Sequence, residues 1–198
     1  MTTFRPPYPL LWDSPIAQQG SPGIGSHGSY NPTGRLYFGM STNLSNPSSA
    51  FLIHSFGMDA GVPSRAGLSL VITPLVDYSG FFYSQGSFAS ALTSAIIKVY
   101  VEESDERDNF VRGIDGTPHV ILRQDPAWFY GSQTWTPVER GITPSQPAIP
   151  VQANHSYRVY LDLHGEIRAA GYGGFGGSYS HADCQVRVIE VDVEFVRV

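Results

Sequence analysis

Residues 157 to 169, YRVYLDLHGEIRA, alternate with a period of two. Tyr157, Val159, Leu161, Leu163, Ile167 and Ala169 fall on one side, and Arg158, Tyr160, Asp162, His164, Glu166 and Arg168 on the other. An amphipathic helix repeats its apolar positions every three to four residues, so this run buries its apolar side only as a half-buried antiparallel strand. Gly165 falls on the apolar side mid-run, where a missing side chain permits a bend, and the expectation is one long kinked strand or two consecutive ones. A slip of one residue in register would turn the whole apolar set outward.

The C-terminal run DCQVRVIEVDVEFVRV alternates in two phases: first Cys184, Val186 and Val188, then Ile189, Val191, Val193 and Phe195. The change of parity between Val188 and Ile189 predicts a β-bulge. Shorter runs bury Leu36, Phe38 and Met40, then Leu68, Leu70 and Ile72, then Ile97, Val99 and Val101; residues 50–56, 119–123 and 127–135 complete the strand candidates. No window of helical length has a clean 3.6-residue pattern; the best candidate, SFASALTSAIIK from Ser87, fits a strand entry equally well. About 8–10 strands with little helix predict an all-β fold, an antiparallel two-sheet β-sandwich of jelly-roll-like form.

Turn signals lie at NPTG from Asn31, DYSG from Asp77 and the Asp115–Gly116 pair. Proline concentrates in residues 1–34 and 136–150, which read as extended surface coil because proline removes a ladder donor. The expected organisation is a proline-rich N-terminal arm, 1–34, followed by a single β-sandwich domain, 35–198. The arm carries Phe4, Tyr8, Leu11 and Trp12, too apolar for a free tail, so it needs a surface to lie on: its own sandwich or a neighbour's.

Several chemistries are excluded or weakened. The stretch AAGYGGFGGSYSH at 169–181 matches G-x-G-x-x-G, but too few residues follow before the next strand for the helix that would hold a pyrophosphate. No serine has the glycines of a nucleophile elbow, and none of the six histidines has another within two to five positions. Cys184 is the only cysteine, so neither an internal disulfide nor a Cys-rich zinc site can form. The acidic run 102–109 lacks calcium-loop spacing and reads as a solvated turn. A net charge of −5 offers no basic field for nucleic acid. The expectation is a non-enzymatic protein without cofactor or metal. Neither a signal peptide nor a membrane span is encoded, leaving a cytoplasmic location or a non-classical export route.

What remains is aromatic material near polar groups. Tyr172, Phe175 and Tyr179, with His181 and Asp183, form one candidate ligand surface, and Trp128, Tyr130 and Trp135 another. Exposed rings stack on the apolar faces of sugars while hydroxyl, imidazole and carboxylate groups bond sugar hydroxyls. The same glycine-rich loop also serves simply as a hairpin connection. Consecutive aromatics in AWFY at 127–130 and FFY at 81–83 cannot all face one core, so at least one ring of each points outward. Glycan or cell-surface ligand recognition is the first functional expectation. The second is a structural subunit of a homo-oligomer, virion or appendage held partly by the N-terminal arm.

Overall fold

The structure is a computed structural model that describes residues 1–6, 17–20, 25–31, 34–41, 48–86, 91–124, 131–144, 146–169 and 179–197. Among them are fourteen strands and no helix. In chain order they are β1 (Thr2–Phe4), β2 (Ala17–Gly20), β3 (Gly25–Asn31), β4 (Arg35–Ser41), β5 (Ser48–Gly61), β6 (Ser69–Gly86) and β7 (Ala91–Ser104). There follow β8 (Phe110–Asp115), β9 (His119–Gln124), β10 (Gly131–Trp135), β11 (Val138–Ile142), β12 (Ile149–Pro150), β13 (Ser156–Ala169) and β14 (Tyr179–Val196).

Two antiparallel sheets hold them. The eight-stranded sheet runs β10-β6-β14-β4-β3, with β1 also on β14 and β11 and β12 also on β6; the six-stranded sheet runs β2-β5-β13-β7-β8, with β9 also on β7. Long strands are flanked by short collinear ones: the far edge of β6 takes β10, β11 and β12 in succession, and that of β7 takes β9 and then β8. This arrangement explains why fourteen strands form where periodicity picks out eight to ten. Strands of two to five residues, such as β1, β2, β10, β11 and β12, are too short to carry a period.

Alternation sets the core. Along β7 burial switches strictly from residue to residue, so the segment from Ala91 that could have been helical is a strand; Ser87 to Ser90 lie outside the described residues. Leu36, Phe56, Met58, Leu70, Phe82, Leu161 and Leu163 are fully buried in one cluster fed by both sheets. Each such side chain contributes on the order of 1.5–3 kcal/mol. Cys184 is in the same cluster, and burial pushes its thiol well above the usual range. The expected bulge in β14 is present, as the β6 register shifts between Val188 and Glu190. In FFY, Phe82 is fully buried while Phe81 remains 44% exposed.

Gly165 does not divide its run: β13 is one strand, the first of the two expected forms, pairing through Gly165 with Leu52 on one side and Ala95 on the other. Two local expectations are corrected. Asp77–Gly80 is not a turn but the middle of β6, bonded to β14 throughout; a side chain on Gly80 would crowd the Phe82 ring and the Asp183 carbonyl. Residues 136–150 are not all coil, because Val138–Ile142 and Ile149–Pro150 add to the edge of β6, with Pro137 and Pro147 outside those strands. Parts of the N-terminal 34 residues likewise pair at strand edges, β1 on β14, β2 on β5 and β3 on β4, and Phe4 packs against the core. Tyr8, Leu11 and Trp12 lie outside the described residues.

One buried charge ties the end of the six-stranded sheet together. Glu103 belongs to the acidic run read as a solvated turn, yet its position on β7 turns it inward and its side chain is wholly buried. Its register partners are Arg112 on β8 and Tyr157 on β13. Arg112 Nε donates to Oε2 at 2.5 Å, Tyr157 Oη donates to Oε1 at 2.9 Å, and His155 Nδ1 lies 2.7 Å from Oε1. Burial alone would push the carboxyl up, but the hydrogen bonds from Arg112, Tyr157 and His155 outweigh it and hold the group below 4.5. Burial, reinforced by Glu103, pushes Tyr157 up to about 12.

A carboxyl lowered by folding adds stability above its unfolded value of 4.5, and that stability is lost as the pH falls through this value toward the folded one. Glu103→Gln is expected to lower unfolding free energy by about 1.5–3 kcal/mol at neutral pH, the range for hydrogen bonds to a charged group. Denaturant titrations at neutral and acid pH check this: the gap between wild type and variant should narrow on acidification. A gap that stays constant would contradict the assignment.

Candidate functional site

The same alternation that buries Leu161 and Leu163 sends Tyr160, Asp162 and His164 to the outer face of the six-stranded sheet, where a solvated face is expected. Instead Tyr160 is only 3% exposed and Asp162 only 7%. Their neighbours account for this. Tyr160 is directly opposite Tyr100 on β7 and Gly57 on β5, Asp162 opposite Lys98 and Ser55, and His164 opposite Ile96 and Ile53. Directly opposed residues share a face at close range, so these side chains cover one another.

Tyr100, Tyr160, Lys98, Asp162, His164 and Ile53, with Glu102 and Asp115, line an open hollow of about 330 Å3. The Tyr100 and Tyr160 rings, 5.9 Å apart and tilted by 43°, form its aromatic wall. The distance and tilt are those of a favourable ring pair. The polar groups are already tied down: Tyr160 Oη donates to Glu102 Oε2 at 2.8 Å, Lys98 Nζ is 2.5 Å from Asp115 Oδ1, and Ser55 Oγ donates to Asp162. His164 Nε2 is 3.9 Å from Asp162 Oδ2. Burial, and then the negative charges of Glu102, Asp115 and Asp162, raise the Tyr100 hydroxyl above its usual value, a sign that three carboxylates converge there. Gly113, opposite Glu102 on β8, leaves the space that the end of Tyr100 occupies.

The candidate residues from the sequence are placed differently. Tyr179, His181 and Asp183 stand at alternate positions of β14 and share the outer face of the other, eight-stranded sheet. Trp135, 53% exposed, is on β10 opposite the buried Phe82 and does not join them. Tyr172, Phe175, Trp128 and Tyr130 lie outside the described residues. Periodicity alone did not single out Lys98, Tyr100, Glu102, Asp115 and Tyr160; the available signal was a tyrosine flanked by charges on the polar side of two separate alternating runs, KVYVE at 98–102 and YLDLH at 160–164. Among the described residues no group of three or more His, Cys, Asp or Glu side chains is arranged to hold a metal ion, and no helix is long and apolar enough to cross a membrane.

No family model matches the chain, and no curated protein matches it. Among solved structures it is similar to TmCBM61 in complex with β-1,4-galactotriose, at 14% identity and a TM-score of 0.23, covering 85% of this chain and 89% of that one. It is also similar to a structure concerned with the promiscuous specificity of carbohydrate-binding modules from the β-sandwich superfamily, at 10% identity and a TM-score of 0.27. That match covers 90% of this chain, which spans 56% of the other's length. A third is a family 11 carbohydrate-binding module from Clostridium thermocellum in complex with a β-1,3-1,4-mixed-linked tetrasaccharide, at 13% identity and a TM-score of 0.23, covering 88% of this chain and 86% of that one. Overlaps this loose leave the site to be read from the chain's own residues.

A Cβ built on Gly113 would overlap the Tyr100 hydroxyl and ring edge. Gly113→Ala is therefore expected to swing the Tyr100 ring off Tyr160 while changing stability by less than about 1 kcal/mol, since alanine also suits a strand better than glycine does. Ring-to-ring NOEs between the two tyrosines report it. Their persistence in the variant would show that the glycine does not make room for the ring.

Proposed function

We propose that the chain binds a neutral saccharide, without turning it over, in the hollow on the outer face of the six-stranded sheet. The observation that carries this reading is the Tyr100–Tyr160 pair, two rings directly across a strand boundary and bordered by hydrogen-bonding side chains. A pyranose has an apolar face of C–H groups that lies against an aromatic ring, and a rim of hydroxyls that both donate and accept. The hollow supplies the matching elements: the Tyr100 ring for the face, and the carboxylates of Glu102 and Asp115 with the Lys98 ammonium for the rim.

Charge narrows the class. Glu102, Asp115 and Asp162 oppose the single lysine, Lys98, so the hollow has an excess of negative charge that repels an acidic sugar and tolerates a neutral one. Each carboxylate is engaged by a donor from another residue, which preorganises acceptors for hydroxyls. Rigid groups on paired strands suit recognition, because little side-chain freedom is left to lose on binding.

Calorimetry with neutral tetrasaccharides built of glucose, galactose, xylose or mannose tests the reading. At least one should bind, Tyr100→Ala should weaken it about tenfold, equivalent to about 1.4 kcal/mol, and a uronic-acid analogue should bind more weakly. The recovered sugar should be chromatographically unchanged. Binding that is indifferent to Tyr100, or cleavage of the sugar, would contradict the proposal.

A further inference from the structure

We infer that the outer face of the eight-stranded sheet is a second saccharide-binding surface, making the chain bivalent for a polysaccharide. The inference rests on the proposed function only for the class of ligand; its residues and its sheet are separate. On β14, Tyr179, His181 and Asp183 share this face, and their register partners on β6 are Gln85, Tyr83 and Phe81. The rings lean on diagonal neighbours: Phe81 and His181 are 5.7 Å apart at 55°, and Tyr83 and Tyr179 are 5.8 Å apart at 48°. The four rings form a strip spanning two strands.

Polar groups border the strip. Tyr83 Oη donates to Gln85 Oε1 at 2.9 Å, and Tyr37 Oη on β4 donates to Asp183 Oδ2 at 3.2 Å. Further along the same strands lies an open hollow of about 180 Å3 whose lining includes Asp77, Ser79, Gln185 and Arg187. At about 3.4 Å per residue, the four steps from Tyr179 to Asp183 span about 14 Å, longer than a single pyranose ring. Aromatic faces next to amide, carboxylate and guanidinium groups match a chain of sugar rings in which apolar faces and hydroxyl edges recur. Asp77 and Glu139 in this hollow are matched by Arg140 and Arg187, leaving Asp183 beside the strip, so no strong field of either sign selects a charged ligand.

A packing surface would look different. The inward side of the same strands carries Ala182, Cys184, Val186, Phe82 and Val76, all fully buried, whereas the outward side interleaves rings with hydrogen-bonding groups. The two outer faces of a two-sheet sandwich point away from each other, so one polysaccharide strand can occupy each.

The test uses the full chain, the neutral tetrasaccharide that binds most tightly in calorimetry, and the soluble polysaccharide of the same sugar and linkage. Wild type should bind two equivalents of the tetrasaccharide and cross-link the polysaccharide, raising its light scattering. Both Tyr100→Ala and the double variant Phe81→Ala with Tyr179→Ala should keep one equivalent at wild-type affinity, with the other about tenfold weaker or more, and should cross-link less. Tyr179→Ala alone, expected to weaken the second site about tenfold, stands in if the double variant melts lower. One equivalent in wild type that the strip variants leave unchanged would overturn the inference while the first site stands. Loss of all binding in the strip variants with none in Tyr100→Ala would support the strip and refute the hollow. A wild-type dimer that the strip variants convert to monomer, with sugar binding unaltered, would make this face a self-association surface and overturn the inference. Absence of binding to every tetrasaccharide would overturn both sites.

Discussion

Two-sided pairing of β13 is the constraint on which the rest of the six-stranded sheet depends. From Ser156 to Ala169 it is bonded to β7 on one edge, and from Tyr157 to Ala169 to β5 on the other, with one register shift on the β5 side next to Tyr157. Because side chains alternate with a period of two, this ladder permits a single arrangement in which Val159, Leu161, Leu163 and Ile167 reach the core. The same arrangement obliges Tyr160, Asp162 and His164 to meet Tyr100, Lys98 and Ile53 on the far side. The geometry of the hollow thus follows from the burial of aliphatic residues that never touch it.

The polar residues of the sheet are handled by pairing. Burying a carboxylate without partners would be costly, and Asp162 and Glu103 meet that requirement differently. Asp162 takes a hydroxyl from Ser55 and has Lys98 opposite, which keeps it at the surface of a hollow where a ligand can reach its surroundings. Glu103 is closed off by Arg112, Tyr157 and His155, so its hydrogen-bonding capacity is spent within the fold. One carboxylate faces into the fold and the other onto the hollow, on adjacent strands, by parity alone.

Much of the fold was legible because β13 and each half of β14 have long, clear periods. The alternation of 157–169 predicted the strand and its core side, and the parity change at Val188 and Ile189 located the bulge. Phe81 and Phe82 divide between faces as consecutive ring residues in a strand must. What was hidden depends on partners distant in sequence. Asp77–Gly80 has the composition of a turn, and pairing with β14 on one edge and β11 on the other keeps it extended. Gly165 leaves the run open to one strand or two, and pairing on both edges makes it one. The hollow was hidden for the same reason, since Ser55 and Asp162 are 107 positions apart and Glu102 and Tyr160 are 58 apart. From one run alone, a polar side with a tyrosine in it is indistinguishable from an ordinary wet face.

The central claim, that a neutral sugar settles against Tyr100 in the hollow of the six-stranded sheet, is tested most directly by an NMR titration. The isotope-labelled chain would be titrated with the neutral tetrasaccharide that binds most tightly. The account predicts saturable shifts of the Tyr100 ring and of the amides of Ser55, Lys98, Glu102, Asp115 and Asp162, whichever other surface responds. Saturable shifts elsewhere with these six residues unmoved would contradict it.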